Sequence, residues 1–236
     1  MNKYKKLTIL SGICLLILSL LSCAGNLPLA GRSIQEAFNH DEGVVKLLKA
    51  VDRHDTKEAK RLVDSGVNVN TLGKDGATPL IWMLVRKNLP AMKLLLELGA
   101  DPNQYEPNGV GTPVWLSAAG GRKEALQLLL DHGGDPNLAY GTNSPLMMAI
   151  NNLHMDCAEL LLQRGADINY SNGPLSAFSA AVFNVQFDYA LWVLNHGYTH
   201  DLAMAKKMAL AKSPRAGQEE LKVKALEIID RLMRNQ

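Results

Sequence analysis

The 236-residue sequence has few cysteines, few aromatic residues and no block of like charge. Its three cysteines, Cys14, Cys23 and Cys157, are too few for a disulfide framework. Aromatic residues make up 6% of the chain, but hydrophobic residues make up 47%, which is enough to bury a core and excludes a disordered tail. Because phosphate binding needs a concentrated basic surface, the scattered lysines and arginines argue against nucleic acid as the partner.

The N-terminus has the form of an export signal. Lys3, Lys5 and Lys6 precede sixteen residues without a charge, from position 7 to position 22. A spanning helix needs about 20 apolar residues, so a cleaved signal is favoured over a lone membrane helix. Without these three lysines the 25 basic residues fall to 22, against 23 acidic residues, so the remaining chain is close to neutral.

The segment Leu20-Leu21-Ser22-Cys23 resembles the lipobox of bacterial lipoproteins. The resemblance implies a lipoprotein signal peptide at 1–22, and a lipidated Cys23 that begins a tether at 23–33. Ten tether residues reach at most about 35 Å, so the domain would stay close to the bilayer. Ala24 lacks the aspartate associated with inner-membrane retention, which implies the periplasmic face of the outer membrane. An ordinary signal peptide with an incidental cysteine is the alternative.

A repeat of about 33 residues follows. Gly66, Gly99, Gly133, Gly165 and Gly197 each end an apolar run, and they are separated by 33, 34, 32 and 32 residues. Internal repeats of this length indicate stacked structural units. Three further motifs recur at the same spacing. A Thr/Ser-Pro motif occurs at Thr78-Pro79-Leu80, Thr112-Pro113-Val114 and Ser144-Pro145-Leu146, and a leucine triplet occurs at Leu94-Leu95-Leu96, Leu128-Leu129-Leu130 and Leu160-Leu161-Leu162. An asparagine follows four of the glycines, at Asn70, Asn103, Asn137 and Asn169.

These motifs resemble ankyrin repeats over about residues 43–198. The resemblance implies an all-α ankyrin-repeat solenoid of about five helix pairs with hairpin-like loops, in an ankyrin-repeat domain at 34–198, followed by a C-terminal helical cap at 199–236. Where the Thr/Ser-Pro motif is present, the threonine or serine caps the first helix and the proline occupies its first turn, while the glycine ends the second helix in a left-handed conformation. The first repeat lacks this motif, and the fifth is a degenerate repeat with Ser176-Ala177-Phe178 in its place. Stacked neighbours supply the core that one helix pair lacks. A coiled-coil or partner helix is the alternative for the last segment.

No group of residues has the spacing of a catalytic or metal site. His132 and His196 each precede a helix-ending glycine, a position where ankyrin sequences often carry an exposed polar residue. Cys157 lies beside Ala158 and Leu160, where a buried cysteine acts as a small hydrophobic residue. We therefore expect that the chain is not an enzyme, has no catalytic residues and needs no cofactor or metal.

The remaining hypothesis is a binding surface on the concave face of the repeats. In ankyrin proteins the variable contact positions lie at the loop before the first helix and near the end of that helix. Tyrosine and asparagine suit recognition because they supply rigid contact area and adaptable hydrogen bonds. The matching positions predicted to bind a partner are Lys74, Asp75, Arg86, Tyr105, Asn108, Tyr140, Asn143, Asn151, Asn152, Asn172, Phe183 and Asn184.

The sequence therefore predicts a membrane-tethered protein-binding module of the bacterial envelope, monomeric before it binds a protein partner. Ankyrin-repeat lipoproteins resemble immunity proteins that neutralise toxic effectors, including phospholipase effectors of the type VI secretion system. The alternative function is a scaffold or assembly adaptor for envelope proteins.

Overall fold

The computed structural model describes residues 32–107 and 109–235, which divide between Gly99 and Ala100 into two compact units that we call unit 1 and unit 2. The predicted signal peptide, Cys23 and most of the predicted tether lie outside the described residues. Within the described ranges, no helix is both long enough and apolar enough to span a bilayer.

Unit 1 begins with a short helix, and two helix pairs follow it. The helices are α1 (Ile34–Ala37), α2 (Glu42–Asp52), α3 (Thr56–Asp64), α4 (Pro79–Val85) and α5 (Leu89–Glu97). Helix α2 packs against α3, α4 and α5, so it lies at the centre of this unit's core. Phe38 and Trp82 are buried there and meet edge to face, with ring centroids 5.9 Å apart.

Unit 2 is a stack of four helix pairs. Its elements are α6 (Pro113–Ala119), α7 (Lys123–Asp131), α8 (Pro145–Asn151), α9 (Met155–Gln163), β1 (Ser171–Asn172), β2 (Leu175–Ser176), α10 (Ala177–Phe183), α11 (Phe187–Asn195), α12 (Leu202–Ala211) and α13 (Glu219–Arg234). First helices pack on first helices, in the order α6, α8, α10 and α12. Helices α7 and α9, and likewise α11 and α13, make the second layer. The C-terminal pair, α12 and α13, therefore stacks on α10 and α11 as a further repeat would.

Helix ends follow the chemistry that the motifs predict. The hydroxyl of Thr112 accepts a hydrogen bond from the backbone N–H of Trp115 at 3.0 Å, and Thr78, Ser144 and Ser176 cap their helices in the same way. Gly133 ends the second helix of its repeat with φ +86°, a conformation that costs glycine nothing. The expected fold class, all-α with ankyrin repeats, is confirmed.

Burial differs between the two helices of a repeat. The first helices α4, α6, α8 and α10 are apolar almost all round, and α8 buries every residue from Pro145 to Ile150. The second helices bury one face only, so α9 buries Cys157, Ala158, Leu160 and Leu161 and exposes its charged residues. This asymmetry places these four helices in the interior of their units, whereas the second helices keep one face toward solvent.

Candidate protein-binding surface

Hydrogen bonds between successive repeats hold the loops in a row. In unit 2 the side-chain amide of Asn137 donates to the backbone carbonyl of Gly165 at 2.9 Å, and its carbonyl oxygen accepts from the backbone N–H of Asp167 at 2.7 Å. Asn103 makes the equivalent pair with Gly133 and Asp135. We call each such pair of bonds an asparagine rung. The rungs fix the spacing of the loop tips beyond them.

The fifth repeat keeps this rung although its loop departs from the repeat pattern. Asn169 donates to the carbonyl of Gly197 at 3.3 Å and accepts from the backbone N–H of Thr199 at 2.7 Å. Tyr198 fills the position of a small residue; its ring is buried and stacks on Phe178, with centroids 5.7 Å apart. The loop can therefore carry a large aromatic residue without losing its hydrogen bonds to the previous repeat.

Two of the predicted contact residues meet at neighbouring loop tips. The rings of Tyr105 and Tyr140 are edge to face with centroids 6.0 Å apart, and Tyr140 also contacts the buried Trp115 at 5.4 Å. The Tyr140 hydroxyl donates to the backbone carbonyl of Gly109 at 2.7 Å. Both tyrosines keep part of their surface exposed. We call the two rings a supported aromatic surface, because Tyr105 packs against Tyr140 and Tyr140 packs against the buried Trp115.

The other tips of unit 2 are polar and neutral. Tyr140 and Asn143 form a backbone bridge, with N–H to carbonyl bonds of 3.1 and 3.3 Å, and β1 pairs with β2 in a small antiparallel hairpin that exposes Asn172. Across the tip segments 104–111, 138–143 and 170–175, the only charged residue in the sequence is Glu106. We call these three segments the tip row.

The predicted contact residues of unit 1 are bound to the chain's own N-terminal segment. Asp75 forms an ion pair with Arg32 at 2.6 Å, and Arg86 donates to the backbone carbonyl of Arg32 at 3.2 Å. The Arg86 guanidinium also lies over the Trp82 ring, 5.0 Å from its centroid. Lys74 keeps an exposed side chain. In this structure Asp75 and Arg86 thus stabilise the start of the domain.

Three predicted contact residues near the ends of first helices bridge successive repeats. Asn152 donates to the carbonyl of Ala119 at 2.7 Å, and Asn184 donates to the backbone carbonyl of Asn151 at 2.7 Å and to its side-chain oxygen at 3.2 Å. All three are only partly exposed. Their amide groups are therefore committed to the stack, which leaves fewer hydrogen bonds for a partner.

Phe183 lies apart from the tip row. It is the last residue of α10, whereas the hairpin precedes the first residue of that helix. Its ring is 39% exposed, and the Lys212 ammonium lies 5.5 Å from the ring centroid. The predicted contact residue Asn108 lies outside the described residues.

The single described cysteine has a protonated thiol. Burial raises the pKa of Cys157 from 9.0 to about 11, and the neighbouring Asp156 carboxylate contributes in the same direction. In the described part of the chain, histidine, cysteine, aspartate and glutamate do not come together in threes as a metal site requires.

Comparison with known proteins agrees with this geometry. The sequence model of the family described as ankyrin repeats in three copies matches residues 83–172. The chain is 31% identical over 110 residues to the ankyrin repeat, SAM and basic leucine zipper domain-containing protein 1 of Oryctolagus cuniculus, which covers 45% of this chain and 23% of that protein. It is 36% identical over 80 residues to the ankyrin repeat and SAM domain-containing protein 6 of Rattus norvegicus, which covers 34% of this chain and 9% of that protein.

The helix pairs and the family match define the class: the chain carries ankyrin repeats, a module for protein–protein interaction. It spans less than a quarter of the length of either relative named above, and both come from mammals. The likeness therefore concerns the repeats. It does not describe the segments before and after the repeats in this chain.

Proposed function

We propose that this chain is a protein-binding module held at the bacterial envelope by a lipid on Cys23, and that it is an immunity protein that binds and neutralises a toxic phospholipase effector. The observation that carries the binding part is the tip row of unit 2. There Tyr105 and Tyr140 form a supported aromatic surface among residues that are uncharged except for Glu106. Interfaces are enriched in such tyrosines, because their rings contribute contact area at a small entropic cost.

The mechanism is occlusion. The asparagine rungs hold the tips at fixed spacing before the partner arrives, so little conformational entropy is lost on binding. A toxin whose active-site rim packs against Tyr105 and Asn172 would be sterically separated from its substrate. A lipid tether would raise the local concentration of the inhibitor at the bilayer where a phospholipase acts.

A protection assay tests this function. Cells that lack the chain are exposed to sibling cells that deliver the effector, and survival is compared after complementation with the full chain, with Tyr105→Ala/Asn172→Ala, and with Cys23→Ser. We expect the wild-type chain to protect, the tip variant to fail, and Cys23→Ser to protect less because the inhibitor is no longer concentrated at the membrane. Deletion cells that survive sibling attack as well as the wild type would overturn the immunity role.

The matched control is Glu159→Ala, which removes an exposed side chain from α9 of the same unit. It should protect as the wild type does. If deletion cells survive but a stable endogenous complex is recovered from envelope extracts, the chain is instead an adaptor for envelope proteins.

A further inference from the structure

Helix α12 has an exposed face that no other element of unit 2 covers. Ala203, Lys207, Leu210 and Ala211 follow helical spacing, and all four are exposed, with Leu210 at 58%. The opposite face of the same helix is buried through Leu202, Ala205 and Ala209. A single exposed leucine is ordinary on a protein surface, so Leu210 indicates a contact surface only together with other exposed apolar residues.

A second exposed apolar residue, Phe183, contacts the residue that follows α12. Phe183, at the end of α10, is 39% exposed and lies beneath the ammonium of Lys212, which directly follows α12. The carbonyls of Leu210 and Lys212 both accept hydrogen bonds from the Lys222 ammonium, at 3.3 and 2.6 Å. Lys212 therefore joins Phe183 to the C-terminal end of α12, two residues after Leu210.

The charged residues of α12 and of the loop that follows it are all basic. Between Asp201 and Glu219 the sequence contains Lys206, Lys207, Lys212 and Arg215 and no acidic residue. Lys206 is paired with Asp230 of α13 at 2.5 Å. Lys207 and Arg215 are exposed, and Lys207 lies three residues before Leu210 on α12. Lysine and arginine side chains can keep their charge in the headgroup layer while their stems lie against apolar surface.

The acidic residues of the pair lie on the other helix. Glu219, Glu220, Glu227 and Asp230 are on α13, where Glu220 is paired with Lys224 at 2.7 Å. Val223 on α13 is 53% exposed, as Leu210 is on α12, but it lies one helical turn from Glu219 and from Glu227. Leu210 thus lies on a helix whose charged residues are all basic, whereas Val223 lies on a helix with four acidic and four basic residues.

We propose that Phe183, Lys207, Leu210, Ala211, Lys212 and Arg215 form a membrane-contact patch that rests on an anionic lipid surface. Apolar side chains would enter the headgroup boundary, and the basic residues would bind lipid phosphates, as at other interfacial helices. The inference rests on the proposed residence of the chain at a membrane. It assigns Phe183 to the lipid surface and leaves the tip row of unit 2 for the protein partner.

Photo-crosslinking in intact cells tests the patch with the full chain. A photoreactive benzoyl-phenylalanine is placed at position 210 or, as a matched control, at position 223, in cells whose phospholipids carry radioactive phosphate. We expect a labelled lipid adduct from position 210 and none from position 223. Lys207→Glu/Arg215→Glu should lower the adduct by about fivefold or more for each of the two basic residues removed, because each basic residue near an anionic surface contributes about that factor.

The outcomes separate the patch from the proposed function. A protein adduct at position 210, equal lipid labelling at both positions, or no adduct in a chain that fractionates with membranes would each overturn the patch while leaving the tether and the tip row unaffected. A chain absent from the membrane fraction would overturn both. Protection against the effector by a chain carrying Lys207→Glu/Arg215→Glu would show that the two surfaces act separately.

Discussion

The side-chain amide of Asn137 lies 2.9 Å from the backbone carbonyl of Gly165, which is 28 residues further along the chain. The side-chain oxygen of Asn137 accepts a hydrogen bond from the backbone N–H of Asp167, so one side chain is bonded to two positions of the next loop. Because Asn103 and Asn169 repeat this arrangement, the loop tips of unit 2 are spaced by side chains as well as by helix packing.

Asn137→Ala should therefore destabilise unit 2. The variant loses both bonds of its rung, and the freed carbonyl of Gly165 and N–H of Asp167 must find water. We expect the free energy of unfolding to fall by about 1–2 kcal/mol in urea titrations followed by circular dichroism. Asn172→Ala removes an exposed asparagine of the tip row, and it should change the free energy of unfolding by less than about 0.5 kcal/mol. Equal effects of the two substitutions would contradict the role of the rung.

Leu153→Asn should stabilise the protein. Leu153 has φ +65° and a side chain that is 43% exposed. A left-handed conformation costs a leucine about 1 kcal/mol, whereas asparagine tolerates it. We expect a gain of about 0.5–1 kcal/mol by thermal or urea unfolding.

Leu89→Asn is the matched control, since Leu89 is 37% exposed but begins a right-handed helix, α5. It should bring no gain. A gain in both variants would mean that loss of exposed leucine surface, and not relief of the backbone, is responsible.

Gly121→Ala should have the opposite effect at the equivalent turn of the previous repeat. Gly121 has φ +62°, and a Cβ atom there would lie 2.5 Å from Nδ1 of His154. We expect a loss of about 1–3 kcal/mol. In a double-mutant cycle, His154→Ala should recover the part of this loss that comes from the steric clash, and an additive result would show that the histidine is not involved.

Cys157 should be nearly unreactive in the folded protein. With its pKa raised to about 11, the thiolate fraction at pH 8 is about a hundredfold below that of a thiol with the ordinary pKa of 9.0. Iodoacetamide modification of the Cys157 peptide, measured by mass spectrometry, should accelerate at least about a hundredfold in urea. Rapid modification of the native chain would contradict the burial of this thiol.

The raised pKa of Cys157 makes the stability of the folded protein depend on pH. Because the folded state raises the pKa, it holds the proton more tightly than the unfolded chain does. The stability contributed by this group is complete below pH 9.0 and is lost as the pH rises through about 11. Cys157→Ala should remove this part of the alkaline loss of stability.

Periodic features of the sequence predicted most of the fold. The 33-residue spacing located the helix-ending glycines, and the Thr-Pro motif located the first helices, because these positions are set by local backbone chemistry. The contact between Tyr105 and Tyr140 joins two predicted positions, since the repeat places them on neighbouring loops.

Contacts outside the repeat register could not be predicted in this way. The pairing of Arg32 with Asp75 joins residues 43 positions apart, and nothing in the repeat pattern relates them. Asn151, Asn152 and Asn184 have the residue type of a recognition surface, but their amides bridge repeats. Residue type indicates that a side chain can form hydrogen bonds, whereas the neighbouring repeat determines which partner it takes.

The central claim is that the tip row of unit 2 binds a protein. The most direct test is the dissociation constant between the full chain and the protein that copurifies with it, for the wild type, Tyr105→Ala/Asn172→Ala and Glu159→Ala. We predict that the tip variant weakens binding by about 2 kcal/mol, or roughly thirtyfold in Kd, while its circular dichroism spectrum stays that of the folded chain and Glu159→Ala binds as the wild type does. An unchanged Kd for a folded tip variant would contradict it.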